Sequence, residues 1–325
     1  MRIFSGVRPT SELHIGNYLG AIKQWLELQN KHECIFCIVD LHAITTPYEP
    51  KDLQKNILEL AVVYLIAGLN PQKCIFFVQS DIKEHTELAW ILGTITPIGD
   101  LRRMTQFKEK MKKHPEYVNT GLLNYPLLMA SDILLYQTDL VPVGKDQQQH
   151  VELTREIARR FNKRFSKVFK EPEVLLAKTG AKIMSLTNPK NKMSKTDNPK
   201  EMIGLFDTSK EIQEKIMAAV TDTGKDIRYS PITKPGISNL LTIYSLFSGK
   251  TIKRSETEFK GKGYAQFKKA LAGLLVEKLK PFREKRKELL KRKDYIRKIL
   301  KDGASKAQKI AQSTIKKVKQ NMGLQ

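Results

Sequence analysis

The first 185 residues alternate between short buried-strand patterns and longer amphipathic helix patterns, and this alternation constrains the fold more than any other feature. Continuous apolar runs predict strands, whereas apolar residues recurring every three or four positions predict helices. Repeated strand–helix units imply a parallel sheet with right-handed crossovers. We therefore predict an α/β fold, a Rossmann-like doubly wound parallel sheet, which binds ligands at the carboxyl ends of its strands. The predicted strands are residues 3–7, 34–39, 74–78 and 139–143, and the predicted helices are residues 15–27, 51–67 and 150–161.

The rest of the chain reads as helical. From about residue 198 the strand signals disappear, and helical periodicity with Lys/Arg faces takes over. A loop-like stretch rich in Asn, Pro and Lys lies at the junction. We expect a catalytic domain over residues 1–185, a mobile loop over 186–200 and a C-terminal all-helical domain over 201–325, whose last helix could pack back on the catalytic domain.

The charge of the chain is strongly positive and unevenly distributed. The sequence has 57 Lys and Arg against 34 Asp and Glu, a formal net charge of +23. Residues 250–325 hold 24 of the basic and 7 of the acidic residues, so this last quarter carries +17 and the first 249 residues only +6. Such a surface favours a polyanion partner, and solvated helix faces in a lysine-rich protein are the alternative.

Composition argues against two other classes of protein. The longest uncharged apolar run, Leu60 to Leu69, falls short of the roughly 20 residues that span a bilayer, and the N-terminal residues have no signal-peptide pattern. Cys34, Cys37 and Cys74 cannot form a disulfide framework, and the first two lie in a predicted strand, which favours structural cysteines over a metal site. We expect a cytoplasmic protein without a membrane partner and without a protein-bound metal.

Two motifs carry groups suited to phosphate. A helix is predicted to begin directly after the first strand, and His14, Gly16 and Asn17 stand in its first turn, where backbone N–H groups are unpaired. A capped helix with an incidental histidine is the alternative. Lys192 and Lys195 stand three residues apart in the junction loop, where flexible ammonium groups could follow a polyphosphate or simply be solvated.

These motifs resemble the two ATP signatures of the class I aminoacyl-tRNA synthetases. The residues concerned are 14–17 (HIGN) and 192–196 (KMSKT). Residues 125–136 (YPLLMASDILLY) and 141–150 (VPVGKDQQQH) resemble the tryptophanyl-tRNA synthetases of bacterial type in particular. Residues 40–45, 104–108 and 234–241 extend the similarity over nearly the whole chain.

The resemblance implies an ATP-dependent ligase. Tryptophan would react with ATP to give tryptophanyl-adenylate and pyrophosphate with Mg²⁺ sharing the charge, and tryptophan would then pass to the 3′ end of tRNA(Trp). Family members are homodimers, with the connecting segment of the catalytic domain at the interface, and the basic helical part would grip tRNA. The implied catalytic groups are His14, Asn17, Lys110, Lys192 and Lys195.

The resemblance also implies two sets of binding residues. The ATP-binding residues would be Arg8, Pro9, Thr10, Gly16, Asn17, Gly144, Lys145, Asp146, Ile183, Lys192, Met193, Ser194, Lys195 and Thr196. The tryptophan-binding residues would be Phe4, Arg8, His42, Tyr125, Met129, Asp132, Val141, Val143 and Gln147. Two positions depart from the family pattern. Lys145 replaces an acidic residue, and Thr196 replaces a serine.

The spacing of the residues supports a receptor for a flat ring with one N–H donor. Tyr125, Met129 and Asp132 share one stripe of a helix, and Val141 and Val143 share one face of a strand. A carboxylate among apolar neighbours is costly to bury unpaired, so Asp132 should have a partner, which the family implies is the indole N–H. An Asp that faces solvent or caps a turn is the alternative.

Two other functions remain open at this stage. A tyrosyl-tRNA synthetase would share the ATP signatures but would present hydroxyl-binding groups in the amino-acid pocket. A non-catalytic, synthetase-derived RNA-binding protein would need only the basic helices, and the intact signature residues argue against it.

Overall fold

The protein contains one five-stranded parallel sheet. The structure, a computed structural model, describes residues 1–9, 13–113, 115–176, 182–194 and 198–324, apart from the side chains of Ala21, Gln24, Lys110 and Lys113. The strands stand in the order β3-β2-β1-β4-β5, so the order reverses between β1 and β4. Their bounds are β1 Arg2–Val7, β2 Glu33–Ile38, β3 Cys74–Val78, β4 Leu140–Val143 and β5 Glu173–Leu176.

Fourteen α-helices lie in the described residues. In the first half of the chain these are α1 Ile15–Asn17, α2 Lys23–Leu28, α3 Asp40–Ala43, α4 Pro50–Ala67, α5 Glu84–Gly93, α6 Ile98–Arg102, α7 Thr105–Lys113, α8 Thr120–Leu134 and α9 Gln148–Arg164. The later ones are α10 Ser209–Ala218, α11 Pro235–Ser248, α12 Ile252–Glu258, α13 Tyr264–Lys291 and α14 Lys293–Met322. None of them is both long and apolar enough to cross a membrane.

The parallel sheet and the four predicted strands are confirmed. Each buried run pairs in register with its neighbour, as Ile35 of β2 does with Phe4 of β1 and Ile75 of β3. The short edge strand β5 was not predicted, because only three of its four residues are apolar and half-buried or exposed residues give no clear pattern. The predicted helix 15–27 is interrupted by a π-helical turn, Tyr18–Ile22, which an apolar periodicity of 3.6 cannot distinguish from α-helix.

The first compact unit comprises Met1–Thr10, Leu26–Lys178 and Arg292–Gln325. The last helix, α14, belongs to this unit and packs on β3, α4 and α5. Its inward face is lined by small residues, Gly303, Ala304, Ala307 and Ala311, which let the helix approach the sheet closely. The unit therefore differs from the predicted catalytic domain 1–185, since a segment distant in sequence completes its core.

The second compact unit comprises Ser11–Trp25 and Thr179–Lys291. Its core forms where α10 and α11 pack on α13, around Ile212, Leu241, Phe267 and Leu271. The described residues from 198 onward contain no strand, as the sequence indicates. This unit differs from the predicted helical domain 201–325 because it includes α1 and lacks α14. Apolar contacts, rather than order along the chain, decide the division.

A pair of glycine substitutions tests the close contact of α14 with the sheet. A Cβ on Gly303 would stand 1.9 Å from the Phe76 carbonyl oxygen, whereas a Cβ on Gly273 of α13 meets nothing within 4 Å. Gly303→Ala should therefore lower the free energy of unfolding by at least about 1–3 kcal/mol through overpacking. Gly273→Ala should raise it by about 0.5–1 kcal/mol, because alanine favours helix.

Thermal and urea denaturation of the two variants measure this difference. An unchanged melting temperature for Gly303→Ala would contradict the contact between α14 and β3. Gly273→Ala serves as the matched control, since the same atom is added to a long helix in both variants.

Candidate functional site

The reversal of strand order places the carboxyl ends of β1 and β4 side by side in the first unit. Crevices of this kind are where ligands bind in open α/β sheets. Arg8 and Pro9 follow β1, and the turn Lys145–Gln147 follows β4 and Gly144. A Cβ on Gly144 would lie 2.6 Å from Oδ1 of Asp146, so the Asp146 side chain folds back over a backbone that only glycine permits. Five predicted ATP-binding residues thus share this edge.

Gln147 is also part of this turn. Its side-chain amide donates to Oδ2 of Asp146 at 2.9 Å. Lys145, one of the two departures from the family pattern, is exposed. The turn therefore presents its carboxylate and amide as one linked pair rather than as separate groups.

Asp132 is the most deeply buried carboxylate among the predicted site residues, with 2% of its surface exposed. It lies on α8 and accepts three hydrogen bonds from side chains of the chain itself. Oδ1 accepts from Nε2 of Gln79 at 2.6 Å and from Nδ1 of His85 at 2.6 Å. Oδ2 accepts from Nε2 of His42 at 2.8 Å. The solvent-facing alternative is thus wrong, and the partner that burial requires is supplied by the protein.

These hydrogen bonds keep Asp132 ionised. Burial alone would raise the pKa of the carboxyl group, but the hydrogen bonds and charges of His42 and His85 outweigh it, so that the pKa lies below its usual value. The site therefore contains a fixed negative charge that accepts hydrogen bonds and donates none at neutral pH.

The other predicted tryptophan-binding residues surround α8 within the first unit. Tyr125 is buried, its hydroxyl lies 2.8 Å from Nε2 of His150, and its ring meets the ring of His42 edge-on at 6.4 Å. Burial raises the pKa of the Tyr125 phenol, and the charge of Arg8 acts in the opposite direction. The remaining members of the set belong to the same apolar core, where Phe4 and Val141 are buried and Met129 and Val143 are half-buried.

A large cavity opens beside this cluster. It has a volume of about 1030 Å³, and residues from α3, α5, α6 and α8 line it. Of the predicted tryptophan-binding residues, Tyr125 lines this cavity, whereas Phe4 and Asp132 are packed in the core. The predicted tryptophan-binding residues and the cavity therefore meet at Tyr125.

The first ATP signature lies in the second unit, where His14 caps α1. Nδ1 of His14 accepts from the Gly16 N–H at 3.1 Å, and Oδ1 of Asn17 accepts from the His14 N–H at 3.1 Å. A Cβ on Gly16 would stand 2.9 Å from the His14 ring, so this position requires glycine. Desolvation, assisted by the charge of Lys192, lowers the pKa of His14 to about 4. The ring is neutral at pH 7, and its Nε2 carries the N–H.

The second signature reaches the same part of this unit. The Met193 N–H donates to the Ile183 carbonyl at 2.9 Å, and Met193 is buried while Lys192 and Ser194 are exposed. Ile183 also lies near Gly16, since the Cβ built on Gly16 would be 3.8 Å from Cβ of Ile183. Thr10, Lys195, Thr196 and the side chain of Lys110 lie outside the described residues, so their assignments remain predictions.

Sequence reasoning missed the two residues that donate hydrogen bonds to Oδ1 of Asp132. Gln79 directly follows β3, and His85 lies in the first turn of α5. Both are fully buried, and the His85 Nε2 lies 2.8 Å from the Tyr136 hydroxyl. A polar residue at the carboxyl end of a buried strand was the available signal.

The three cysteines lie in the strands β2 and β3. Cys34, Cys37 and Cys74 are buried and free, with burial raising the pKa of the Cys34 thiol to about 11. Within the described ranges, no group of three or more His, Cys, Asp or Glu side chains is arranged to hold a metal ion.

Comparison with known proteins identifies the family. Residues 1–280 match the family model of the class I tRNA synthetases (W and Y). The chain is 51% identical to the tryptophan–tRNA ligase of Bacillus anthracis and 49% identical to that of Bacillus subtilis, over 99% of this chain and 98% and 97% of theirs. The crystal structure of the Campylobacter jejuni tryptophanyl-tRNA synthetase complexed with ADP and tryptophan matches over all of both chains, with a TM-score of 0.88 and 37% identity. The chain therefore belongs to the class I tRNA synthetases of the W and Y family.

Proposed function

We propose that the chain is a tryptophan–tRNA ligase. It joins L-tryptophan to ATP, releases pyrophosphate and transfers tryptophan from the adenylate to the 3′ end of tRNA(Trp). The observation that carries this proposal is the near-complete coverage, at about half identity, of relatives named for that activity. The reaction takes place in the cytoplasm.

Tryptophan binds along α8 and β4. Asp132 accepts the indole N–H, because it is an ionised acceptor in an apolar core. The faces of the indole ring contact Phe4, Met129, Val141 and Val143. His42 holds the carboxylate of Asp132 in place through its hydrogen bond to Oδ2. Arg8, Tyr125 and Gln147 bind the ammonium and carboxylate of the substrate. A site of this kind rejects a side chain without the N–H by about 10⁴-fold, because the buried acceptor would lose its partner.

The two signatures of the second unit bind ATP. Because Nδ1 of His14 and Oδ1 of Asn17 are used within the helix cap, Nε2–H of His14 and the Asn17 amide N–H₂ are the groups that donate to phosphate oxygens. Gly16 allows the backbone to approach the phosphates. Ile183 contacts the adenine. The ATP-binding residues of the first unit are Arg8, Pro9, Thr10 and the Gly144–Lys145–Asp146 turn.

The chemical step is an in-line displacement at the α-phosphorus. A carboxylate oxygen of tryptophan forms the new P–O bond as the bond to pyrophosphate breaks. Lys192, Lys195 and Lys110 stabilise the charge that develops on the phosphates, aided by Met193, Ser194 and Thr196 in the loop. Mg²⁺ bound to the ATP phosphates would supply further charge neutralisation.

Substitution of Asp132 tests the tryptophan pocket. Asp132→Asn should lower kcat/KM for tryptophan by about 10²-fold or more, because an amide cannot accept from three donors and the indole, while KM for ATP changes less than about threefold. The measurement is ATP–pyrophosphate exchange with tryptophan, with tyrosine and with neither amino acid.

The matched control is Asp139→Asn, which removes another carboxylate of the same unit, one paired with Lys170 near the start of β4. It should leave both constants unchanged. Exchange driven by tyrosine would favour the tyrosyl enzyme, and no exchange with either amino acid would favour a non-catalytic RNA-binding protein.

The enzyme is a homodimer, and an apolar surface around the large cavity is the contact between the two copies. Four large residues are exposed there, namely Trp90 at 79%, Ile98 at 56%, Val118 at 45% and Tyr117 at 36%. Contiguous apolar patches are uncommon on monomers and mark protein contacts. This surface belongs to the connecting segment between β3 and α8.

Trp90→Glu should convert the dimer to a monomer, because it places a charge in the contact without disturbing the buried face of α5. Sedimentation velocity measures the change. Ile232→Glu, at a residue 94% exposed in the second unit, is the control and should remain dimeric. A monomeric wild-type protein would refute the homodimer.

The basic C-terminal helices bind tRNA. Residues 250–291 hold 14 basic and 5 acidic residues, and residues 292–325 hold 10 basic and 2 acidic residues. Both α13 and α14 therefore contribute positive charge. The guanidinium of Arg286 lies 4.6 Å from the centre of the Phe206 ring, and that of Arg292 lies 4.6 Å from the Tyr295 ring. Lys285 is exposed and makes the cleaner target.

Lys285→Glu should raise KM for tRNA about five- to tenfold, through the loss of phosphate attraction, and leave pyrophosphate exchange unchanged. The control Lys55→Glu reverses an exposed charge on α4 and should change neither. Equal loss in the exchange and aminoacylation assays would contradict this division of labour. Charge reversal at Arg286 or Arg292 should act in the same direction, with an added loss from the ring contact.

A further inference from the structure

The two oxygens of Asp132 are held in different ways. Oδ1 accepts two short hydrogen bonds, both at 2.6 Å, from Gln79 and His85. Oδ2 accepts one, at 2.8 Å, from His42. An ionised carboxylate has about four acceptor positions, two on each oxygen. Within the described part of the chain, three of the four are therefore occupied, and the remaining one is on Oδ2.

The two oxygens also face different surroundings. Gln79 and His85, on the Oδ1 side, are fully buried. His42, on the Oδ2 side, exposes 10% of its side chain. The remaining acceptor position thus belongs to the oxygen on the less deeply buried side of the carboxylate.

Tyr136 fixes the orientation of His85. Nδ1 of His85 donates to the ionised Asp132, and the other ring nitrogen, Nε2, is paired with the Tyr136 hydroxyl at 2.8 Å. Burial raises the pKa of Tyr136 well above its usual value, so this phenol keeps its proton. The Tyr136 ring is itself stacked on Phe4, with centroids 5.5 Å apart and planes 8° from parallel.

We propose that Gln79, His85 and Tyr136 are positioning residues that set the specificity for a ring with a single N–H. Gln79 and His85 occupy both acceptor positions of the Asp132 Oδ1, and Tyr136 fixes the orientation of His85. Oδ2 is therefore the oxygen that accepts the indole N–H. The residues act through Asp132 and touch no substrate atom. This inference rests on the proposed tryptophan–tRNA ligase function, and it adds three residues to the recognition of that substrate.

The test compares tryptophan with an analogue whose indole nitrogen is replaced by sulfur, 3-benzothienylalanine. The quantity measured is the ratio of the kcat/KM values of the two compounds in ATP–pyrophosphate exchange. The wild-type ratio should be about 10⁴. His85→Leu should lower it about 10- to 100-fold, because a carboxylate that has lost a charge-assisted hydrogen bond no longer holds its oxygens in place for the N–H.

Tyr136→Phe is the milder variant. It keeps the ring that stacks on Phe4 and removes only the hydroxyl, so it should fold and lower the ratio severalfold. Thr138→Val is the matched control, because it removes a buried hydroxyl that donates to the Ile133 carbonyl at 2.8 Å, at the end of α8, without contacting Asp132. This control should lower stability and leave the ratio unchanged.

The pH dependence gives a second readout. The hydrogen bond from His85 lowers the pKa of Asp132, so its loss raises that pKa. As pH falls, kcat/KM for tryptophan should therefore decline at a higher pH in His85→Leu than in the wild-type enzyme, whereas Thr138→Val should keep the wild-type profile.

The outcomes distinguish a failure of the positioning role from a failure of the proposed tryptophan–tRNA ligase function. If the wild-type enzyme shows no tryptophan-dependent exchange, the proposed function fails and the positioning role fails with it. If exchange is present but Tyr136→Phe and His85→Leu keep the wild-type ratio and pH profile, the function stands and the positioning role is overturned. A lower ratio in both variants with an unchanged control supports it.

Discussion

A charged carboxylate inside an apolar core is the constraint on which the predicted amino-acid site depends. The isolated charge of Asp132 would be strongly disfavoured at 2% exposure, and it is stable there because three side chains donate to it. Those donors come from three different places, namely α3, the turn after β3 and the start of α5. The elements that supply them must pack on α8 in one arrangement, so the charge ties the sheet and its covering helices to a single geometry.

Hydrogen bonds also decide which polar groups remain available in the first motif, residues 14–17. His14 and Asn17 satisfy the helix N-terminus with one acceptor atom each, which leaves the Nε2–H of His14 and the two N–H donors of the Asn17 amide. The capping interpretation and the phosphate interpretation of these residues are therefore compatible, because a capped turn fixes the direction of the remaining N–H groups. Desolvation keeps His14 neutral, which leaves it a hydrogen-bond donor rather than a cation.

Much of the fold could be predicted because its signals are local. The buried runs Cys34 to Val39 and Cys74 to Val78 reveal central strands, and the parallel order follows from the helices between them. The same reasoning placed Asp132 on the apolar face of a helix. It missed β5, which is short and lies at the sheet edge, and it could not detect the π-turn Tyr18–Ile22, whose extra residue changes the hydrogen bonding more than the apolar pattern.

By itself, the sequence determined the alternation of the four central strands with helices, the buried acid of α8 and the two motifs that resemble ATP signatures, because each depends on residues within a turn or two of one another. Only the tertiary structure decided which donors meet that acid, since His85, Gln79 and His42 stand 47, 53 and 90 residues away from it. It also decided that α14 completes the sheet unit rather than the helical one. Both outcomes depend on how distant apolar surfaces pack, and no local pattern encodes that packing.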